Sequence, residues 1–272
     1  MKLVLALAIP LVLAGSAYGQ LRDNQTPRLT CDNGNYGGNR QRFCEVREQT
    51  IPGVGRLTVD PGKNGGVTVR GWLRNDVSIR SRIDAWAGSV DEARALAGQV
   101  RVDASAGKIS TSGPDSLRDA SWSVSYEIFV PQMTDLSTTS VNGGVDLSDL
   151  RGHIEFETKN GGVRLTRVAG DVSGQTRNGG IQVELTGRTW EGGKLDARTI
   201  NGGVTITMPE NYSAHIQTET VNGAIDSDFP VSITVQGRVW PQRPQNLDFN
   251  VGSGGPLIHV STTNGSVKLR KI

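Results

Sequence analysis

The chain has 272 residues, with 29 Lys and Arg against 27 Asp and Glu, so its formal net charge is only +2. This balance argues against nucleic acid or an anionic lipid surface as a partner. Aromatic residues make up 5% of the chain and glycine contributes 35 residues, a composition that favours many short strands with frequent turns over a helical core.

Residues 1–19 have the organisation of a secretory signal peptide. A basic residue precedes an apolar run over residues 3–14, and small residues follow as far as Gly19. The run is too short for a spanning helix, which needs about 20 apolar residues, so we expect cleavage between Gly19 and Gln20. Ser16 stands where a lipoprotein signal carries cysteine, which excludes lipid attachment there. With no later apolar span, no transmembrane segment is expected after cleavage, and we place the mature chain in the periplasm, at the cell surface or outside the cell.

Residues 20–50 form a polar N-terminal segment that contains both cysteines, Cys31 and Cys44. Because an exported chain meets an oxidising compartment, two cysteines this close are expected to form a disulfide, and closing so short a loop is worth about 3 kcal/mol. The alternative is a metal or redox pair. The segment has no CxxC motif and no histidine that would complete a metal site, so we favour the disulfide.

Residues 51–272 are dominated by strand patterns. Alternating apolar and polar residues predict strands over 56–59, 66–70, 76–83 and 121–130. One stretch departs from this alternation. Residues 89–97 begin with Ser89, carry acidic residues in their first turn and are followed by Gly98, so they predict a short inserted helix.

One phrase recurs along this region: Thr or Ser, any residue, Asn, Gly, a small residue, then Val or Ile. The first two steps between its asparagines are 18 residues each, and the last, of 42, equals two steps of 21. The six clear copies carry Asn142, Asn160, Asn178, Asn201, Asn222 and Asn264. The threonines of the phrase are Thr158, Thr176, Thr199, Thr220 and Thr262. An earlier copy at Asn64 and a degraded one at residues 105–109 extend the array upstream, and we expect about ten coils.

The repeated positions assemble into one coil. A strand ends at Thr and Asn, Asn-Gly-Gly turns the chain because both residue types accept positive φ, and a second strand follows. Stacking at about 4.8 Å brings equivalent Asn and Thr side chains within hydrogen-bonding reach, which makes them a structural ladder. Outward residues such as Asp146 and Arg164 pair across neighbouring coils. The prediction is an all-β, single-stranded β-solenoid (β-helix-like) with one inserted helix; the alternative is an antiparallel sandwich with Asn-Gly hairpin turns.

A known family shares this ordered set of features. The leader, Val67–Trp72, Tyr126–Pro131 and the successive Asn-Gly-Gly-Val units resemble the bacterial putative adhesin family, a β-solenoid domain of unknown function (DUF4097). The resemblance covers residues 50–272. It implies an envelope or surface location and an adhesive role, and it supplies no catalytic residues. Many members have Asn-Gly-Asp where this chain has Asn-Gly-Gly, so no role of that Asp is carried over.

Enzymes on a parallel β-helix are the main rival interpretation. Glycoside hydrolysis requires two acids roughly 5 to 10 Å apart on one face. The candidate acids are Glu155 and Glu157 with Asp171, or Glu184 with Asp196. Charges on the outer face of a strand usually serve solubility, so we predict no catalytic residues. His153 and His215 lie three coils apart in this arrangement, too far to share a metal ion, and we predict neither a metal nor a cofactor.

The remaining candidate contacts are aromatic. The five tryptophans either pack the core or mark a binding surface. Trp240 and Arg243 are our candidate contact residues, because loops that project from a rigid scaffold often carry recognition. The sequence thus predicts an exported, non-enzymatic β-solenoid that presents an extended surface to a cell-envelope protein or polysaccharide. The alternatives are a carbohydrate-active enzyme and a self-associating envelope scaffold.

Overall fold

The structure is a computed structural model that describes residues 28–31, 39–116, 119–230 and 245–272. The predicted leader lies outside the described residues, as do Trp240 and Arg243. Within the described residues the disulfide is present, joining Cys31 to Cys44 with a Cα–Cα distance of 5.9 Å. The predicted disulfide is therefore confirmed.

The described residues form twenty strands and one helix. Before the helix lie β1 (Gln41–Pro52), β2 (Arg56–Asp60), β3 (Val67–Trp72) and β4 (Asp76–Ala87). After helix α1 (Val90–Gln99) come β5 (Arg101–Ser105), β6 (Lys108–Ser112) and β7 (Ser121–Pro131). The clear repeats contain β8 (Asp135–Asn142), β9 (Val145–Ser148), β10 (Arg151–Asn160), β11 (Val163–Thr166), β12 (Ala169–Asn178), β13 (Ile181–Glu184), β14 (Lys194–Asn201), β15 (Val204–Met208), β16 (Ala214–Asn222) and β17 (Ile225–Ser227). The chain ends with β18 (Asn246–Val251), β19 (Leu257–Asn264) and β20 (Val267–Lys271).

The inserted helix follows directly from its sequence. Ser89 accepts a hydrogen bond from the Glu92 backbone N–H, and the Glu92 side chain accepts one from Ser89 in return, which completes a capping box. Ala93 and Ala97 form its buried face, against β1 and β4. The predicted helix is confirmed, although it extends to Gln99 instead of ending before Gly98. No helix within the described residues is long and apolar enough to cross a membrane.

The strands form two ten-stranded sheets. Sheet A has the order β1-β4-β7-β3-β9-β11-β13-β15-β20-β17, and sheet B has the order β18-β16-β19-β14-β12-β10-β8-β2-β6-β5. Each of the six clear copies of the phrase ends a strand of sheet B and begins a strand of sheet A. Equivalent residues of neighbouring copies pair in parallel, as Thr158 does with Thr176 and Val163 with Ile181. The inward residues of both sheets belong to one buried apolar cluster, so the core lies between the sheets.

Three details differ from the sequence-based expectation. Counting parallel neighbours in the described residues gives eight layers of one strand per sheet, not about ten. Residues 105–109 are not a corner between sheets: Ala106 and Gly107, both at positive φ, form the two-residue turn of the hairpin β5–β6. The last layer is out of order as well, because β19 inserts between β14 and β16 while β18 pairs antiparallel with β16 at the edge.

The Asn side chains form a hydrogen-bonded ladder along one corner of the stack. Asn160 Nδ2 donates to Asn142 Oδ1 at 2.8 Å, and Asn178 Nδ2 donates to Asn160 Oδ1 at 2.8 Å. In spatial order the ladder comprises Asn64, Asn142, Asn160, Asn178, Asn201, Asn264 and Asn222. The threonines act differently from the expectation that they bond to one another. Each is buried and donates to a glycine carbonyl of the neighbouring layer, as Thr158 Oγ1 does to Gly143 O at 3.0 Å.

The glycine after each Asn is required for close approach, not for positive φ. Among the described Asn-Gly corners only Gly65 has positive φ. A Cβ on Gly161 would lie 2.0 Å from the Gly143 carbonyl oxygen, far inside van der Waals contact. At the next position, Gly162, a Cβ would lie 3.4 Å from the Gly180 oxygen. The stacking of backbones therefore selects the first glycine of the phrase much more strongly than the second.

Candidate binding groove on the outer face of sheet A

An open groove of about 600 Å³ lies on the outer face of sheet A. It crosses five neighbouring strands, from β3 to β15, which is about 19 Å at the usual strand spacing. The lining is almost entirely polar: Arg28, Arg70, Asp146, Ser148, Arg164, Thr166, Arg167, Gln182, Val183, Glu184, Thr205 and Thr207. We call this surface the sheet A groove.

Parallel register arranges the floor of the sheet A groove in rows. Asp146 pairs with Arg164, and Arg164 pairs with Gln182, so one outward position of the repeat forms a row across the strands. The pairing of Asp146 beside Arg164 is as predicted. The next outward position forms a second row that includes Thr166 and Glu184. A ligand lying across the strands would therefore meet polar side chains at every strand step.

A buried carboxylate fixes one wall of the groove. Glu127 on β7 is only 3% exposed, and its Oε2 accepts hydrogen bonds from the backbone N–H groups of Arg28 and Leu29 at 2.8 and 2.9 Å. Its Oε1 accepts from Arg70 Nη1 at 2.8 Å. These three donors satisfy a charge that would otherwise be costly to bury. Glu127 thus positions two arginines of the groove, and the Cys31–Cys44 disulfide tethers the same N-terminal segment to β1.

The groove carries four guanidinium groups and two carboxylates. Arg70 is paired with Glu127, and Arg167 donates to Asp149 through Nε at 2.6 Å and Nη2 at 2.8 Å, which raises the pKa of Arg167. The side chains of Arg28 and Arg164 have no hydrogen-bond acceptor among the described residues. Arg164 lies beside Asp146 and interacts with it electrostatically, but neither arginine side chain is hydrogen-bonded within the described structure, so the N–H groups of both can bind an anionic ligand. Guanidinium binds carboxylates and phosphates in a bidentate geometry.

Asp146 is the acidic residue of the groove whose pKa is shifted. It is half-buried, and burial raises the pKa of its carboxyl, although Arg164 and Arg70 nearby act in the opposite direction. Its ionised form is therefore less well solvated than an exposed aspartate. The negative charge of Asp146 does not require a bound cation, since Arg164 is the cross-strand neighbour of Asp146.

The acids considered for catalysis are divided between the two sheets, but three of them, Glu155, Glu157 and Asp196, line one open pocket of about 360 Å³ on sheet B. Glu184 lies on β13 of sheet A, whereas Asp196 lies on β14 of sheet B, so this pair is separated by the core. On sheet B, Asp171 pairs with His153, while Glu155 accepts a contact from His153 at 3.2 Å and is exposed. Glu155 and Glu157 are exposed, whereas Asp196 is partly buried beside Arg198 and His259.

The histidines also have local partners. His259 Nδ1 lies 3.0 Å from Asp196, and His215 Nε2 lies 2.6 Å from Asp248. Burial favours a higher pKa for Asp196, but hydrogen bonds from Arg198 and His259 outweigh it, and the pKa is lowered. His153 and His215 are four strand steps apart instead of the expected three. Among the described residues no group of three or more His, Cys, Asp or Glu is arranged to hold a metal ion.

Most described tryptophans belong to the core. Trp72 is 6% exposed and donates from Nε1 to Asp76 O, and Trp190 is 3% exposed and donates to Gly170 O. Trp122 donates to Pro114 O and packs against the core. Trp86 differs because its buried Nε1 has no hydrogen-bond partner. The predicted contact residues, Trp240 and Arg243, lie outside the described ranges.

Comparisons with known proteins give structural similarity alone. No protein-family model matches the chain, and no curated protein matches it. Among solved structures, a putative cell adhesion protein from Clostridium sporogenes is 11% identical with a TM-score of 0.40, covering 84% of this chain and 100% of that one. A putative adhesin from Bacteroides fragilis is 13% identical with a TM-score of 0.35, covering 84% and 97%. A putative lipid binding protein from Parabacteroides distasonis is 12% identical with a TM-score of 0.37, covering 84% and 96%. At this level the similarities assign neither a family nor a function.

Proposed function

We propose that this protein is an exported, non-enzymatic β-solenoid of the putative adhesin kind that binds a cell-envelope polysaccharide bearing acidic groups along the sheet A groove. The observation that carries the proposal is the groove itself: about 19 Å of open, polar surface with two arginines that lack acceptors in the described part of the chain. Hydroxyl-rich polymers with acidic substituents match such a lining.

A polysaccharide suits the groove better than a protein partner does. Protein interfaces usually centre on buried aromatic or aliphatic anchors, and the only apolar residue lining this groove is Val183. Export is supported by the disulfide, which persists in oxidising compartments, together with the leader-like N-terminal sequence.

The test is retention on immobilised polygalacturonate, with neutral dextran as the matched control. We expect retention on the acidic polymer that weakens with salt, because arginine–carboxylate contacts at a surface are screened. Release of reducing or unsaturated sugar ends is measured in the same samples and should stay at background. Equal retention on dextran, or turnover of the polymer, would contradict the proposal. Retention only by an envelope protein would favour the other predicted class of partner.

A further inference from the structure

A second pocket lies at the end of the Asn ladder, separate from the residues that line the sheet A groove. Its volume is about 430 Å³, and it is lined by Arg40, Asn64, Gly65, Trp86, Ser121, Trp122, Ser123 and Asn142. We call it the ladder-end pocket. It draws together β4, β7 and the corner between β2 and β3, none of which the sequence pattern singles out as a site.

The ladder is directional, and this direction gives the pocket its chemistry. Each ladder Asn other than Asn64 donates from Nδ2 to the neighbour on its Asn64 side, and the series ends where Asn142 Nδ2 donates to Asn64 Oδ1 at 3.0 Å. The Nδ2 group of Asn64 therefore has no acceptor among the described residues. At the opposite end, Asn222 keeps an acceptor oxygen without a donor from the described chain. Aligned amides polarise one another, so the Asn64 end attracts an anion or a strong acceptor.

Arg40 adds a full positive charge to the same pocket. Its Nη1 donates to Ser121 Oγ at 3.0 Å, which orients the guanidinium and leaves further N–H groups without acceptors in the described structure. Ser121 and Ser123 contribute hydroxyl groups to the lining, while no Asp or Glu lines the pocket. Among the described residues of the pocket, the Arg40 guanidinium and the Asn64 amide therefore both offer hydrogen-bond donors to a ligand.

Trp86 supplies an aromatic surface beside these donors. Its side chain is half-buried, and its Nε1 is fully buried without a hydrogen-bond partner in the described chain. Small-ligand sites typically combine aromatic surface with a few convergent polar groups. A ring-shaped ligand that carries an anionic substituent and hydroxyl groups could pack against the indole and accept hydrogen bonds from the polar groups of the pocket.

We propose that the ladder-end pocket binds a sugar acid, with the carboxylate held by Arg40 and Asn64 and the sugar ring against Trp86. The site does not depend on binding in the sheet A groove. The ligand class follows from the donors, which select a carboxylate, and from the serines and the indole, which select a hydroxylated ring over a simple anion.

The experiment titrates glucuronate, glucose and acetate into the full mature chain and follows the tryptophan indole N–H signals by NMR, with Trp86→Phe assigning the Trp86 signal. We expect a saturable shift of this signal with glucuronate, and affinities at least about tenfold weaker for glucose and acetate. If glucose bound as tightly as glucuronate, the carboxylate would not be recognised and the proposal would be wrong. If acetate bound as tightly as glucuronate, the sugar ring would not be recognised. The absence of any shift of the Trp86 signal would also overturn the proposal.

Two variants test the residues. Arg40→Gln removes the charge, and Asn64→Asp keeps an oxygen acceptor for Asn142 while replacing the free donor by a negative charge. Each should weaken glucuronate binding at least about tenfold. Arg177→Ala should leave the affinity within about twofold, because this exposed residue of β12 lines neither the sheet A groove nor this pocket. Thermal melts establish that each variant folds. Wild-type affinity in both pocket variants, or its loss in Arg177→Ala, would refute the assignment.

Discussion

Removing one interior rung of the Asn ladder should cost the protein two hydrogen bonds. Asn160 donates to Asn142 and accepts from Asn178, each at 2.8 Å. Because these side chains lie at an exposed corner, water partly replaces the lost bonds, and we take about 0.5 to 1 kcal/mol for each. Asn160→Ala should therefore lower the free energy of unfolding by about 1 to 2 kcal/mol, which corresponds to about 2–8 °C in Tm for a chain of this size.

The decisive test is a double-mutant cycle on adjacent rungs. Asn160→Ala and Asn178→Ala each remove two ladder bonds, but they share one, so the double variant removes only three. The double variant should be more stable than the sum of the singles predicts, by about 0.5 to 1 kcal/mol. The control pair, Asn160 and Asn264, shares no bond and should be additive. Denaturant melts monitored by circular dichroism measure all variants, and additivity in the adjacent pair would refute the ladder as an energetic unit.

Three further outcomes follow from the fold and the groove. Gly161→Ala should destabilise the protein by about 3 kcal/mol or more, because its Cβ would meet the Gly143 carbonyl oxygen, while Gly162→Ala is the tolerated control; equal melting temperatures would contradict the close approach. Asp146→Asn should raise the free energy of unfolding at pH 7, since burial penalises the ionised carboxylate. The gain should vanish as the pH falls below about 4, where the carboxyl is protonated in the unfolded chain as well. A gain that persists at pH 3 would show that burial of the charge is not its cause. Cys44→Ser should weaken retention on polygalacturonate, because it releases the segment that carries Arg28, and retention equal to wild type would mean that this wall is dispensable.

The repeat could be predicted from sequence because stacking places the same demand on every layer. Thr158 and Thr176 occupy one buried position, and Asn160 and Asn178 occupy one rung, so identity at these positions signals contact between layers. The predicted role of the first glycine of the phrase, to accept positive φ, was wrong. The glycine is required because the backbones of two neighbouring layers approach closely, and a single segment of the sequence does not show that contact. The phrase also fits any layer equally well, so periodicity could not reveal that Asn264 lies between Asn201 and Asn222.

The candidate site was less predictable for a different physical reason. Alternation along the strands did predict the outward pairing of Asp146 and Arg164. The wall of the sheet A groove, however, depends on Glu127 accepting from Arg28, which is 99 residues away in sequence. Glu127 appears in the sequence as one more polar residue of an alternating strand. A single acid in an otherwise outward position gives no sign that it is buried and holds three donors.

Binding of an acidic polysaccharide in the sheet A groove, as we propose, is tested most directly by surface plasmon resonance on immobilised polygalacturonate. The measurement compares the wild-type chain with Arg164→Ala and Arg177→Ala. Both arginines are exposed in the repeat region, but Arg164 lines the sheet A groove and Arg177 lies on β12 of sheet B. We predict that Arg164→Ala weakens binding about tenfold or more while Arg177→Ala stays within about twofold of wild type. An equal loss in both variants, or in neither, would contradict the claim.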